Sequence, residues 1–201
     1  CEHANVDPAE LAFFDIHAFP TEAAGRLGVA EEFVAGPRMD NLSSVFAGLQ
    51  ALRAASDGPD AMVFVCNDHE EVGSATRSGA EGPFLESVID RICQLLGVTD
   101  DARQALLARS TCISADAGHG VHPNYAAMHD PQNLPLLGGG PLLKINANQR
   151  YATTAAGQAE VVRIAAETSK RIGQEVPVQY FVSANHKPCG STIGPITATR
   201  L

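Results

Sequence analysis

Basic residues are scarce in this chain: 14 Lys and Arg stand against 23 Asp and Glu, for a formal net charge of −9 and an isoelectric point near 5.1. No basic run occurs. Phosphate recognition needs clustered cations, so a nucleic-acid surface is excluded. Cysteine is sparse and unpatterned. Cys1, Cys66, Cys93, Cys112 and Cys189 are odd in number, widely spaced and never set as C-x-x-C. That spacing speaks against a disulfide framework and a cysteine zinc knuckle, and fits a reducing cytoplasm. No stretch approaches the roughly 18 to 20 apolar residues of a membrane span, and no charged region followed by an apolar one opens the chain. Neither a membrane contact nor a targeting segment is expected. Internal repeats and low-complexity segments are absent too.

What is present suffices for one globular domain: 201 residues, 45% of them hydrophobic, enough to bury a core. The chain opens at Cys1, not Met, and closes at Arg200-Leu201 inside a pattern that looks unfinished. Part of a longer protein is the expectation.

Along the chain, residues 10–19 (ELAFFDIHAF) followed by Pro20 read as a strand ending in a turn, and residues 21–32 as a connecting loop. Leu42, Val45, Phe46, Leu49 and Leu52 share one helical face, with Asp40 or Asn41 placed to cap a helix beginning just after Asp40. Residues 61–66 (AMVFVC) form a short apolar run of the kind buried in a parallel sheet. A helix opens at Pro83 and runs through Phe84, Val88, Ile89, Ile92 and Leu96, with Gly97 where a left-handed residue ends it. A weaker helix over residues 101–109 precedes a second buried-strand candidate, residues 111–115 (TCISA), which stops at Asp116. Cys66 and Cys112, inside these two strands, read as small core residues. Residues 142–146 as a strand, an Ala-rich helix over about 156–171 closed by Gly173, and a strand over 176–182 complete the pattern. Strand and helix alternate, so an α/β sandwich is indicated.

Acidic residues lie where such folds bind ligands. Glu70 and Glu71 follow one predicted strand, Asp116 follows another, and Asp40 precedes a helix; ligands of open α/β sheets gather at the carboxyl ends of strands. Carboxylates brought close together repel unless a cation or proton joins them, and divalent metals accept such oxygens readily. Each acid taken singly also has a plainer reading. Asp40 suits a helix N-cap, Glu70 and Glu71 suit solvated loop acids, and Asp116 suits a turn cap. His69-Glu70 is not the start of a zincin helix, because position 73, where the second His is required, is Gly. Gly138 to Gly140 lack the G-K-[ST] of a phosphate loop and read as a tight turn.

Four strings then occur in one order and approximate spacing: residues 38–43 (RMDNLS), 68–74 (DHEEVGS), 114–125 (SADAGHGVHPNY) and 190–196 (GSTIGPI). In them the chain resembles the M18 aspartyl aminopeptidases, from about Leu11 to its last residue. The resemblance implies a three-layer α/β/α sandwich of the two-zinc exopeptidase type. It implies two zinc ions per active site, other divalent metals being admissible, with Asp40 as the bridging carboxylate and Glu71 and Asp116 each completing one metal's set. Glu70 becomes the general base, since a carboxylate not committed to metal is left to take a proton. His119, Lys144 and Tyr151 match substrate-contacting positions, and a cation such as Lys144 suits the family's preference for an N-terminal Asp or Glu. His122, ahead of Pro123-Asn124, reads as a hydrogen-bonded structural histidine. His17, His129 and His186 have no motif around them.

Departures from the family accompany the match. Two histidines serve that family as terminal metal ligands, one early in the catalytic domain and one beyond the GSTIGP stretch, and neither has a counterpart among the seven histidines here. Also without counterparts are the first strands of the catalytic domain and most of the inserted domain through which members assemble. Residues 1–20 are thus expected to end that oligomerisation domain or to form a return strand. Residues 21–201 are expected to be the C-terminal part of the catalytic domain without its last segment. The implied partners are peptide substrates and further copies of the same chain. Two alternatives stay open: a two-metal aminopeptidase or deacylase of other specificity, and a non-catalytic structural module. Zinc sites are normally closed by about four ligands, and loss of one imidazole from each metal weakens both. The 201-residue chain alone is therefore expected to show little or no release of Asp from an Asp-peptide while the parent protein is active, a comparison that a single turnover assay makes.

Overall fold

A computed structural model of the chain describes residues 3, 5–147, 151 and 153–182. The motif at 190–196, His186, and the cysteines at 1 and 189 lie outside the described residues. The chain divides into two compact units, Cys1–Asp40 and Asn41–Leu201, each described by itself.

In the first unit Asp7 caps a short 3-10 turn, Pro8–Glu10, through a bond from the Ala9 N–H to Oδ1 of 2.9 Å. Residues 11–19, expected as a strand, make no ladder. Phe13, Phe14, Ile16 and Phe19 are all exposed, and an apolar extended segment becomes a strand only when another strand takes up its backbone groups. Pairing falls instead in the stretch read as a loop and the residues just after it: β1 (Gly25–Leu27) runs antiparallel to β2 (Phe33–Ala35), Arg26 facing Val34. Gly28, at φ +102°, makes the reversal. A carboxylate oxygen of Glu32 accepts the Ala30 N–H at 2.9 Å inside the turn.

Helix α1 (Met39–Ala54) starts earlier than its periodicity suggested, which places Asp40 and Asn41 inside the first turn instead of at its cap. In the second unit α2 (Phe84–Leu95) follows Pro83 and ends at Gly97, φ +67°, as its sequence signals foretold. The face it buries runs through Cys93, with Leu85 and Ile89 half-buried, one helical turn apart each; Phe84, Val88, Ile92 and Leu96 stay exposed. The Thr99 hydroxyl accepts the Ala102 N–H to cap α3 (Asp100–Arg109). Arg103 ties the two helices together through Asp90 and, at 3.5 Å, Glu86.

The second sheet is a parallel pair, β3 (Leu142–Ile145) and β4 (Gln179–Val182), with Lys144 opposite Phe181. Parallel neighbours cannot be joined by a tight turn, and the connection is α4 (Ala155–Ile172), capped by Thr154 and ended by Gly173 at φ +67°. Buried Leu143, Phe181, Ala165 and Tyr151 gather in this βαβ segment. Before β3 the glycine run makes the expected turn, the Gly139 N–H reaching the Leu136 carbonyl at 3.1 Å. Gln179 clamps that turn, accepting the Leu136 N–H at 2.8 Å and donating to the Leu136 carbonyl at 3.1 Å.

Residues 61–66 and 111–115 lead into the acidic motifs as expected, yet neither forms a strand among the described residues. Met62, Val63 and Ile113 are more than half exposed, and Cys66 and Cys112 are exposed instead of core, while Cys93 is buried. The reason is again the missing ladder partner, not an unsuitable sequence. Mixed helix and sheet is thus the observed class.

At Gly140, φ +96°, an added Cβ would lie 2.0 Å from the Pro177 carbonyl oxygen. In the intact protein Gly140→Ala should therefore lower the unfolding free energy by about 1–3 kcal/mol, read as a fall in the denaturant midpoint at unchanged slope.

Candidate functional site

The acid candidates come from loops whose backbone is tightly specified. Glu70 and Glu71 lie on a 3-10 turn, Glu70–Val72, entered through His69 in the left-handed region (φ +60°, ψ 26°) and left through Gly73 (φ +100°), whose N–H bonds the Glu70 carbonyl at 2.9 Å. Ser74, also left-handed and buried, returns its N–H to the His69 carbonyl at 2.9 Å. Glycines 79 and 82 complete the winding. A Cβ at Gly79 would meet the Ser74 carbonyl at 2.1 Å, and one at Gly82 the Thr76 carbonyl at 2.3 Å. Glu70 is half-buried and Glu71 exposed. Asp40, exposed, is the last residue of the first unit, and the residue two before it, Arg38, is left-handed as well (φ +63°). Non-glycine residues at positive φ are uncommon and cluster at functional sites.

Asp116, Lys144 and Tyr151 come together. The Lys144 ammonium, on β3, lies 2.6 Å from Asp116 Oδ2 and 5.8 Å from the centre of the Tyr151 ring. The lysine side chain is 15% exposed and the aspartate 30%, so the pair is shielded enough for its charges to matter. Tyr151 is 4% exposed, and the Thr153 hydroxyl donates to the Lys144 carbonyl at 2.7 Å, fastening this turn to the strand. Asn41 adds a contact its sequence position left open: its Nδ2 donates to the Ala115 carbonyl at 2.9 Å, holding the peptide just before Asp116. An Asn directly after a candidate acid was the available signal.

His119 is exposed and three residues beyond Asp116. His122 has the structural role read for it, its Nδ1 accepting the Asn124 N–H at 3.1 Å where the 3-10 helix Pro123–Met128 begins, with its ring 5.1 Å from that of Tyr125. Cys112, though exposed as a residue, has a thiol desolvated by its surroundings, which pushes its pKa up and keeps it protonated at neutral pH. A cleft of about 370 Å³ between α2 and α3 is lined by Glu86, Asp90, Cys93, Val98, Asp100 and Arg103. It contains none of the candidate residues, and its Arg103 is already satisfied by two carboxylates.

Among the described residues no three His, Cys, Asp or Glu side chains converge as a metal-binding group, and the Asp116 carboxylate already carries a lysine. These residues alone do not fit a closed zinc site. The ion pair itself is testable in metal-free protein. Asp116→Ala leaves a shielded ammonium without this partner and should cost about 1–3 kcal/mol of stability. Adding Lys144→Met should recover most of that loss, and a double-mutant cycle in denaturant measures the coupling.

Comparison with known proteins agrees with the motifs. The family model described as aminopeptidase I zinc metalloprotease (M18) matches residues 1–201. A probable M18 family aminopeptidase 2 of Stutzerimonas stutzeri (strain A1501) is 50% identical over 193 residues, covering 96% of this chain and 41% of its own length. The chain thus spans about two-fifths of the length of the curated relatives it matches. Among solved structures, a chain of the Ape4 and Nbr1 complex superposes with a TM-score of 0.68 at 36% identity, over 89% of this chain and 34% of that one. The S. cerevisiae mApe1 dodecamer gives 0.67 at 27% identity, over 90% and 40%. With a family match along residues 1–201, this chain belongs to the M18 family of aminopeptidases.

Proposed function

We propose that the whole protein is a metal-dependent aminopeptidase that hydrolyses N-terminal Asp and Glu from peptides. The observation that supports the acidic preference is the Lys144 ammonium, fixed on β3 beside Asp116 and above Tyr151. With Asp116 committed to metal in the whole protein, that shielded ammonium is released to an acidic substrate side chain, and charge-assisted hydrogen bonds are the strong ones. In this reading the fold completes as a three-layer α/β/α sandwich, to which residues 21–201 contribute the later part. Residues 1–20 end the inserted oligomerisation domain or return from it. Family membership implies zinc. Two ions are proposed, with Asp40, Glu71 and Asp116 among their ligands and the remaining donors supplied from outside the described residues. Glu70 accepts the proton of the attacking water, and His119 and Tyr151 contact the substrate. A homo-oligomer in the cytoplasm is the proposed setting; the mApe1 neighbour is itself a dodecamer, and no described helix is long and apolar enough to cross a membrane.

The two family histidines without a counterpart among the seven of this chain motivate a second reading, a module without catalysis. Zinc content of the full-length protein separates the two: bound zinc supports the enzyme, and none supports the module.

Release of Asp, Glu, Leu and Lys from matched aminoacyl substrates tests the specificity, and a preference for Leu or Lys would sink the acidic assignment. Lys144→Met should reduce kcat/KM for the Asp substrate by about 10- to 100-fold, the worth of one charged hydrogen bond, with a smaller loss on Leu. Glu70→Gln should lower kcat by roughly 10²- to 10⁴-fold with zinc retained, whereas Glu71→Ala should lose zinc as well.

A further inference from the structure

His69 belongs to no role assigned so far, yet its side chain is tethered at several points within the loop that bears the two glutamates. Its Nδ1 lies 2.8 Å from the Thr76 hydroxyl and 3.4 Å from that of Ser78, and its Nε2 lies 3.6 Å from Asp68 Oδ2. Its own N–H reaches Asp68 Oδ1 at 2.8 Å, and its carbonyl accepts from both Val72, at 3.3 Å, and Ser74, at 2.9 Å. Nδ1 accepts from the Thr76 hydroxyl when the ring proton sits on Nε2, the nitrogen nearer Asp68. The Thr76 hydroxyl oxygen in turn accepts the Gly79 N–H at 3.1 Å, and Asp68 N–H bonds the Ser78 carbonyl at 3.1 Å. One imidazole thus ties together both limbs of the loop.

The backbone explains why that tether matters. At φ +60° His69 turns the chain sharply before Glu70, and the two residues that follow therefore project in directions that an ordinary extended or helical residue at 69 would not allow. Left-handed backbone is open to Asn, Asp, His and Gly at small cost, and closed in practice to β-branched residues. With the side chain pinned by Thr76 and Ser78, the left-handed state is held where a free histidine would leave it.

We propose that His69 is a positioning residue, whose ring, clamped by Asp68, Thr76 and Ser78, locks the left-handed turn that aims Glu70 and Glu71. This rests on the reading of Glu70 and Glu71 as working residues of an aminopeptidase. It assigns His69 no contact with substrate.

The test uses the full-length protein with His69→Val, which removes both ring and left-handed tolerance; His69→Asn, which keeps a hydrogen-bonding group and the tolerance; and Thr76→Val, which removes one clamp of the ring together with the acceptor of the Gly79 N–H. Three quantities are read: kcat and KM on an Asp substrate, zinc per subunit, and the rate of tryptic cleavage after Arg77 in the native protein. His69→Val should lower kcat by about 100-fold, the scale of a 1 Å misplacement, with a smaller change in KM. It should also speed cleavage after Arg77 by roughly tenfold as the loop opens. Thr76→Val should show a part of both effects, and His69→Asn should return both toward wild type. Unchanged kcat and cleavage in His69→Val and Thr76→Val would overturn the proposal. So would His69→Asn as slow as His69→Val with a protected loop, because the ring would then act chemically. If wild type holds zinc but releases no acidic residue, the specificity reading fails alone, and zinc retention together with cleavage still decides the role of His69.

Discussion

Parallel pairing of Leu142–Ile145 with Gln179–Val182 is the constraint on which the candidate site depends. Because parallel strands need a crossover, the sequence must supply a helix between them, and Thr154 and Gly173 mark its two ends. Once the strands are in register, their pleat sends Leu143 and Lys144 to opposite faces. Leu143 is buried, and the Lys144 stem is shielded with its ammonium on Asp116. Gln179 adds a check on register by holding the glycine turn that feeds β3. A slip of one residue would exchange the two faces and move the cation away from Asp116.

A second layer of control is local and lies in backbone conformations that few residues adopt. Residues 68–82 wind on themselves through left-handed His69, Gly73 and Ser74 and through glycines that carbonyl oxygens approach too closely for any side chain. Loops placed by a scaffold are where proteins put functional groups, and this one shows the physical means. Several of its backbone hydrogen bonds close within the loop, among them Ser74 N–H to the His69 carbonyl and Glu81 N–H to the Ser74 carbonyl.

Capped and periodic elements were readable in advance. The helices after Pro83 and Thr154, the strand at 142–145 and the glycine turn all formed near their expected bounds, since caps, left-handed glycines and amphipathic spacing act within a few residues. No strand forms at 10–19, 61–66 or 111–115, for one reason. Apolar β-prone sequence states a capacity to pair, while the pairing itself belongs to whatever chain lies alongside. The exposed apolar residues of those segments, and of the outer face of α2, have nothing over them among the described residues.

The sequence by itself determined the family, because the order of residues in RMDNLS, DHEEVGS and SADAGHG is a chemical signature that survives without coordinates, and it named Asp40, Glu70, Glu71 and Asp116 as the acids to examine. Only the tertiary structure decided that Lys144 neutralises Asp116, that Asn41 holds the peptide before it, and that His69 is clamped by Thr76 and Ser78. The first pair is separated by 28 residues and the second contact by 74. At such separations no local preference acts, and the partner of a charge or amide is set by strand register and helix placement alone.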